Sequence, residues 1–259
     1  MAIKKYGGLL ICQLKQFIKM EKKCTGGASR ANSIQKRVMQ RNRVVLHMPV
    51  DIPVDIKKSN ALIIGNGKSR LQFDLTILNN IYTTYGCNAL YRDFMPDYLI
   101  SHDMGIADEI LDNKVHYQTK FYTQHGTKMD NRHKKNEPIN WVIQDKWMGD
   151  SGTGALRLAC MNGHKVIYMI GFDYATKNKW IDNVYAGTKH YQPGPTINGG
   201  QFMLVQWESR LRYMCDTYKD TQIIRINGNG FIPTCKKDNF KNITPEQFKE
   251  IYTNELQNG

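Results

Sequence analysis

The chain has 259 residues, 41% hydrophobic and 23% charged, with a formal charge of +13. That balance suits one large globular domain, or a domain with an appendage. No run approaches the ~20 apolar residues a bilayer span requires. Residues 1–48 carry eleven Lys or Arg against a single acid, Glu21, so +10 of the charge sits in this leader. The nearly balanced body lacks the basic excess of a nucleic-acid-binding domain.

Within the leader, Ile11, Leu14, Phe17 and Ile18 share a helical face, and the breaker "CTGGASRANS" follows. Three readings stay open: a loosely packed tail, a basic arm that contacts an anionic surface, or a reading frame extended beyond a native start at Met48. The apolar run "GGLLIC" is too short for a secretory signal. The six cysteines lack CxxC spacing, and Cys160 and Cys215 fall in apolar helical stretches. That usage suits a reduced, cytoplasmic protein whose thiols act as small hydrophobes.

From Ala61 strands and helices alternate. "ALII" reads as a buried strand, and "RLQFDLTILNNI" as a helix with Leu71, Leu75 and Leu78 in register. "YTTYGCNAL" gives a strand and turn, "DYLISHD" a strand ending in Asp103, and "MGIADEILDN" a helix. "KFYTQ" and "WVIQ" are strands around a polar loop, 125–140. "SGTGALRLACMNG" is a helix with Ser151 as its cap and Gly163 at its end. "KVIYMIGFD" is the strongest buried strand. The loop 174–200 comes next, then a helix with Leu204, Trp207, Leu211, Met214 and Tyr218 on one face. "QIIRIN" is a strand, and "TPEQFKEIYTNEL" opens as a capping box. The order predicts a three-layer, Rossmann-like, mostly parallel α/β sheet over 49–259, with 1–48 as an extension.

In such a sheet ligands sit beyond the carboxyl ends of the strands. The residues expected there are Gly65, Asn66, Gly67 and Ser69; Asn88; Asp103; Ser151, Gly152 and Thr153; and Asp173. Two glycines after a strand serve either a sharp turn or the approach of phosphate to backbone N–H groups. Ser151 to Gly154 serve either as a helix cap or as a ribose or phosphate contact. Asp103 and Asp173 each end an apolar strand, where a carboxylate needs a partner. That partner is structural, a ribose hydroxyl, or a Mg²⁺ that bridges phosphates. A 27-residue connection such as 174–200 suits a lid or binding loop. His190 within it is a candidate general base or acid, and His190 and Asp103 are the candidate catalytic residues. No HExxH or Walker lysine motif supports zinc or P-loop chemistry.

"ALIIGNGKSRLQFDL", "GCNALYRDFMPDYLISHD" and "GDSGTGALRLACMNGHKVIYMIGFDY" together resemble two related groups over about 61–175. One is the MptE-like (DUF115) proteins, whose characterised members are pyrophosphokinases. The other is the bacterial sialyltransferases of glycosyltransferase family 42, which use a CMP-sugar donor. "PDYLISHD" leans to the first group; "GNG", "CN" and "IGFDY" lean to the second, where such positions contact the nucleotide. The family's proline after "GNG" is Lys68 here. The resemblance implies a base histidine in the loop after the Gly-x-Asp strand, which makes His190 the candidate. The reading that follows is a glycosyltransferase with a small-molecule donor and acceptor. Its alternatives are an ATP-dependent pyrophosphokinase with Mg²⁺ on Asp103 and Asp173, and a non-catalytic nucleotide-binding or structural protein. Nucleic-acid binding through the leader is a fourth.

Overall fold

The computed structural model describes residues 58–142, 149–173, 183–194, 201–227 and 235–258. They belong to a compact unit that runs from Val54 to Gly259. The leader, with its expected helix, Cys12 and Cys24, lies outside the described residues, as do 174–182 and 195–200 of the long loop.

Eight strands form one sheet: β1 (Ala61–Ile64), β2 (Thr83–Cys87), β3 (Tyr98–Ser101), β4 (Lys120–Thr123), β5 (Ile139–Trp141), β6 (Val166–Ile170), β7 (Gln222–Ile226) and β8 (Phe240–Ile243). Their spatial order is β5-β4-β3-β2-β1-β6-β7-β8, and every pairing is parallel. The chain starts at the centre, works out to β5, then returns to lay β6 against the other side of β1. The order reverses between β1 and β6, where a parallel sheet opens a crevice at its carboxyl edge.

Among the described residues six α-helices flank the sheet: α1 (Leu75–Ile81), α2 (Met104–Asp112), α3 (Thr127–His133), α4 (Ser151–Met161), α5 (Gln201–Thr217) and α6 (Pro245–Asn258). Strand residues alternate between two covered faces, which explains why "ALII" is apolar throughout. Ala61, Ile63, Tyr85, Ile100 and Met169 pack with Ala155 and Ala159 of α4 and Leu211 and Met214 of α5. On the opposite face Leu62, Ile64 and Tyr168 meet Leu78 of α1 and Phe248 of α6. Leu99 and Phe121 meet Ile106 and Ile110 of α2 there. The three-layer α/β expectation therefore holds, with the sheet wholly parallel.

Three elements differ from expectation. The helix expected over 70–81 is split: a short 3-10 helix spans Lys68–Gln72, and Asp74 then caps α1 by accepting from Thr76 N–H at 2.8 Å and Ile77 N–H at 3.3 Å. Leu71 is left exposed as a result. The polar stretch 125–140 contains α3, and "FKNI" adds the edge strand β8. The capping box of α6 is as expected, with Thr244 and Gln247 exchanging bonds of 2.9 and 3.2 Å. Cys87, Cys160, Cys215 and Cys235 are free and buried. No helix among the described residues is long and apolar enough to cross a membrane.

Candidate functional site

A cleft of about 1080 Å³ opens where the carboxyl ends of β1, β2, β3 and β6 meet the start of α4. Its β1/β6 side is built by close backbone approach. Gly65 N–H donates to the Ile170 carbonyl at 2.8 Å, and Gly67 N–H to the Gly171 carbonyl at 2.9 Å. A Cβ on Gly65 would sit 2.5 Å from the Gly171 oxygen, and one on Gly67 would sit 2.5 Å from an Asp173 carboxylate oxygen. Gly171 has φ +71 and faces the Gly65 oxygen just as closely. Two strand ends touch here, and only glycine fits. Of the backbone N–H groups that this turn could offer to phosphate, those of Gly65 and Gly67 are therefore engaged inside the fold.

Asp173 is spent in a similar way. Its carboxylate accepts from Ser69 N–H at 3.0 Å and from the Ser69 hydroxyl. It thus anchors the 3-10 helix Lys68–Gln72 while lining the cleft. Asn66 donates to the Cys87 carbonyl at 3.2 Å. Its Oδ1 is buried without a partner among the described residues.

The β2/β3/α4 side is a side-chain network. Asn88, at φ 52, donates to Asp103 at 2.7 Å. Its Oδ1 accepts from Ser101 at 3.0 Å and from Ser151 at 2.7 Å. The Ser151 hydroxyl in turn accepts from His102 N–H at 2.9 Å. Ser151 is not the cap of α4. Asp150 is, taking Thr153 N–H at 2.7 Å and the Thr153 hydroxyl at 2.8 Å, and pairing with Arg210 at 2.6 Å. A carboxylate accepts a backbone N–H more strongly than a hydroxyl does, so the residue before Ser151 takes the role. Gly152 and Thr153 line the cleft beside it.

The described part of the long loop, 183–194, forms a third side. It was expected as part of a lid, and its described residues are tied to the body by hydrogen bonds. Val184 N–H donates to the Asn66 carbonyl at 2.8 Å. The Tyr185 hydroxyl donates to Asp93 and accepts from the buried Arg70 at 2.8 Å. Arg92 reaches the Thr188 hydroxyl at 2.7 Å and the Lys189 carbonyl at 3.1 Å. His190 ends this run at φ 70, with Nε2 3.4 Å from Glu109.

The structure thus brings Gly65, Asn66, Gly67, Asn88, Asp103, Ser151, Gly152, Thr153, Asp173 and His190 to one cleft, with Ser69 behind Asp173. Sequence reasoning missed His102, Asp150, Arg210 and Glu109. His102 and Asp150 had a visible signal, since each neighbours a predicted strand or helix end. Arg210 and Glu109 look like ordinary charges on amphipathic helices. Burial lowers the pKa of His102 below its usual value, against the opposing pull of Asp150 and Asp103. Its Nε2 has no partner among the described residues. The Mg²⁺ alternative needs Asp103 and Asp173 together, but Ser69 engages one and Asn88 the other. No group of three or more potential metal ligands occurs among the described residues.

No family model matches the chain, and no curated protein matches it in sequence. Among solved structures, the chain is similar to the monofunctional alpha-2,3-sialyltransferase Cst-I from Campylobacter jejuni. The identity is 14% and the TM-score 0.49, over 82% of this chain and all of that one. A point variant of the alpha-2,3/8-sialyltransferase CstII is similar at 15% identity and TM-score 0.42, over 74% of this chain and 99% of that one.

Proposed function

We propose that the chain is a transferase that binds a nucleotide-activated donor in this cleft, with sialyltransferase-like glycosyl transfer as the reaction. The observation that carries the reading is convergence. Four strand ends and one helix start deliver small and polar residues to one cavity of about 1080 Å³ at the point where strand order reverses. Unpartnered buried atoms on two lining residues, Asn66 Oδ1 and His102 Nε2, add to it, because such atoms call for a ligand or water to complete them.

In this scheme the start of α4, at Ser151 and Gly152, faces the phosphate, with Arg210 offsetting the charge of the Asp150 cap. Asn88 and Asp103 orient the sugar of the nucleotide or the acceptor. Asp173 acts at one remove, by holding Ser69 and the turn that carries Asn66. The acceptor oxygen bonds to the donor's anomeric carbon while the bond from that carbon to the phosphate oxygen breaks. The electron pair leaves with the phosphate, and the acceptor's proton passes to His190. Rate enhancement comes from positioning and from charge stabilisation of the departing phosphate.

Thermal melting with CMP, CDP, UDP, GDP and ATP, each with and without Mg²⁺, tests this. A nucleotide at 100 times its Kd should stabilise the fold by about 2.7 kcal/mol. The cytidine nucleotides are expected to act without Mg²⁺. Melting that stays unchanged across the panel would refute the reading.

A further inference from the structure

Helix α2 carries a seat for His190. Gly105 and Glu109 are one helical turn apart, so they share a face, and the imidazole lies across both. A Cβ on Gly105 would be 2.8 Å from the ring's Nδ1 and 3.0 Å from Cε1. Nε2 is 3.4 Å from Glu109 Oε2. Glu109 itself is only 9% exposed. Its Oε1 is taken by the Tyr91 hydroxyl and by Arg92, through Nε at 2.9 Å and Nη2 at 2.6 Å. Oε2 is left to His190 and to Lys189, whose Nζ is 3.6 Å away. Burial works to raise the Glu109 pKa, but Tyr91, Arg92 and Lys189 outweigh it and hold the group below the usual carboxylate range. The group is therefore a carboxylate at neutral pH. His190 meanwhile stays at a positive φ, a conformation that costs a non-glycine residue energy and persists only where neighbours fix it.

We propose that Glu109 is a positioning residue. It holds the proton of neutral His190 on Nε2 and leaves Nδ1, on the Gly105 side that lines the cleft, to accept the acceptor's hydroxyl proton. This rests on the transferase reading above. When Nδ1 takes that proton the ring becomes a cation, and the Glu109 carboxylate faces it. Lys189 and Arg92, which both contact Glu109, oppose that cation, and Asp103, two residues before Gly105 at the start of α2, favours it. Among the described residues Glu109 is the carboxylate that stands beside Nε2, at 3.4 Å, and in this proposal it fixes the ring.

Two independent measurements test the proposal. The first needs no substrate. Nitrogen NMR of wild-type His190 above pH 8 should show one tautomer, with the proton on Nε2, and Glu109→Ala should convert it to a mixture. A wild-type ring protonated on Nδ1, or a ratio that Glu109→Ala leaves unchanged, overturns the proposal whether or not the chain is a transferase. The second is kinetic, on the full chain with a CMP-sugar donor. Glu109→Gln should lower kcat by about tenfold or more and leave the donor KM within twofold. Adding His190→Ala should cost nothing beyond what His190→Ala costs alone. Losses that multiply would place Glu109 outside the His190 pathway and overturn the proposal. Gly105→Ala guards against a folding defect, since alanine favours a helix yet displaces the ring. It should keep the melting temperature and lose kcat, and full activity in it counts against the seat. Absent nucleotide binding in wild type refutes the transferase reading, while the tautomer result still decides the role of Glu109.

Discussion

The two long sides of the cleft solve opposite problems. At the β1/β6 junction, Gly65 N–H bonds Ile170, Gly67 N–H bonds Gly171 and Ser69 bonds Asp173, so these groups are engaged in keeping two strand ends in contact. At the β2/β3/α4 side, Asn88, Asp103, Ser101 and Ser151 form a network of side chains that stands around open space. Both sides look equally functional as sequence. What separates them is whether the groups end in the fold or at the cavity, and this teaches that a glycine pair beside a pocket need not serve its ligand.

The sharpest way to break this contrast is to crowd the junction. Gly171→Ala combines a positive φ with a carbonyl oxygen 2.5 Å from the new Cβ. It should cost about 3 kcal/mol in urea unfolding, and a loss below 1 kcal/mol would mean that the strand ends are not held together as described. Asp173→Asn comes next. It weakens two bonds to Ser69 and should cost about 1–2 kcal/mol, with nucleotide affinity changed less than stability. Asp103→Asn should reverse that order, with stability within about 1 kcal/mol of wild type and at least tenfold weaker nucleotide binding by calorimetry; Asn88→Ala, which loses three bonds at a positive φ, should weaken binding as much and cost about 2–3 kcal/mol of stability. Equal effects of both sets on binding would erase the distinction.

The smallest effect concerns pH. Burial lowers the pKa of His102 in the cleft, and that of His164 where it bonds Tyr85 at 2.9 Å. The unfolded chain then binds more protons than the folded one between the lowered values and the ordinary 6.5. Stability from these groups is present above that value and lost as pH falls below it. The slope is at most about 1.4 kcal/mol per pH unit for each group. His164→Gln should flatten the acid limb of a stability profile relative to wild type.

Much of the fold was legible because buried parallel strands announce themselves: "ALII" and "KVIYMIGFD" carry no alternation, since both their faces are covered. Breaks inside apolar stretches were less visible. Asp74 interrupts "RLQFDLTILNNI" because a side chain that bonds Thr76 and Ile77 ends one helix and starts another, an effect that periodicity does not register. β8 escaped notice because an edge strand needs few apolar residues, and only Phe240 of "FKNI" is buried. For the site, strand-end polarity pointed to the rim that bears the cleft, but which groups were already spent depends on long-range partners. Ser69 meets Asp173 across 104 positions, a pairing that nothing local encodes.

Asn88 and Arg92 are the first and last residues of a single five-residue turn. One end carries the amide that meets Asp103 and Ser151, and the other grips Glu109 and the backbone beside His190. The polar network beside the cleft and the seat of His190 thus hang from one short turn, and a substitution that shifts this turn bears on both sets of contacts.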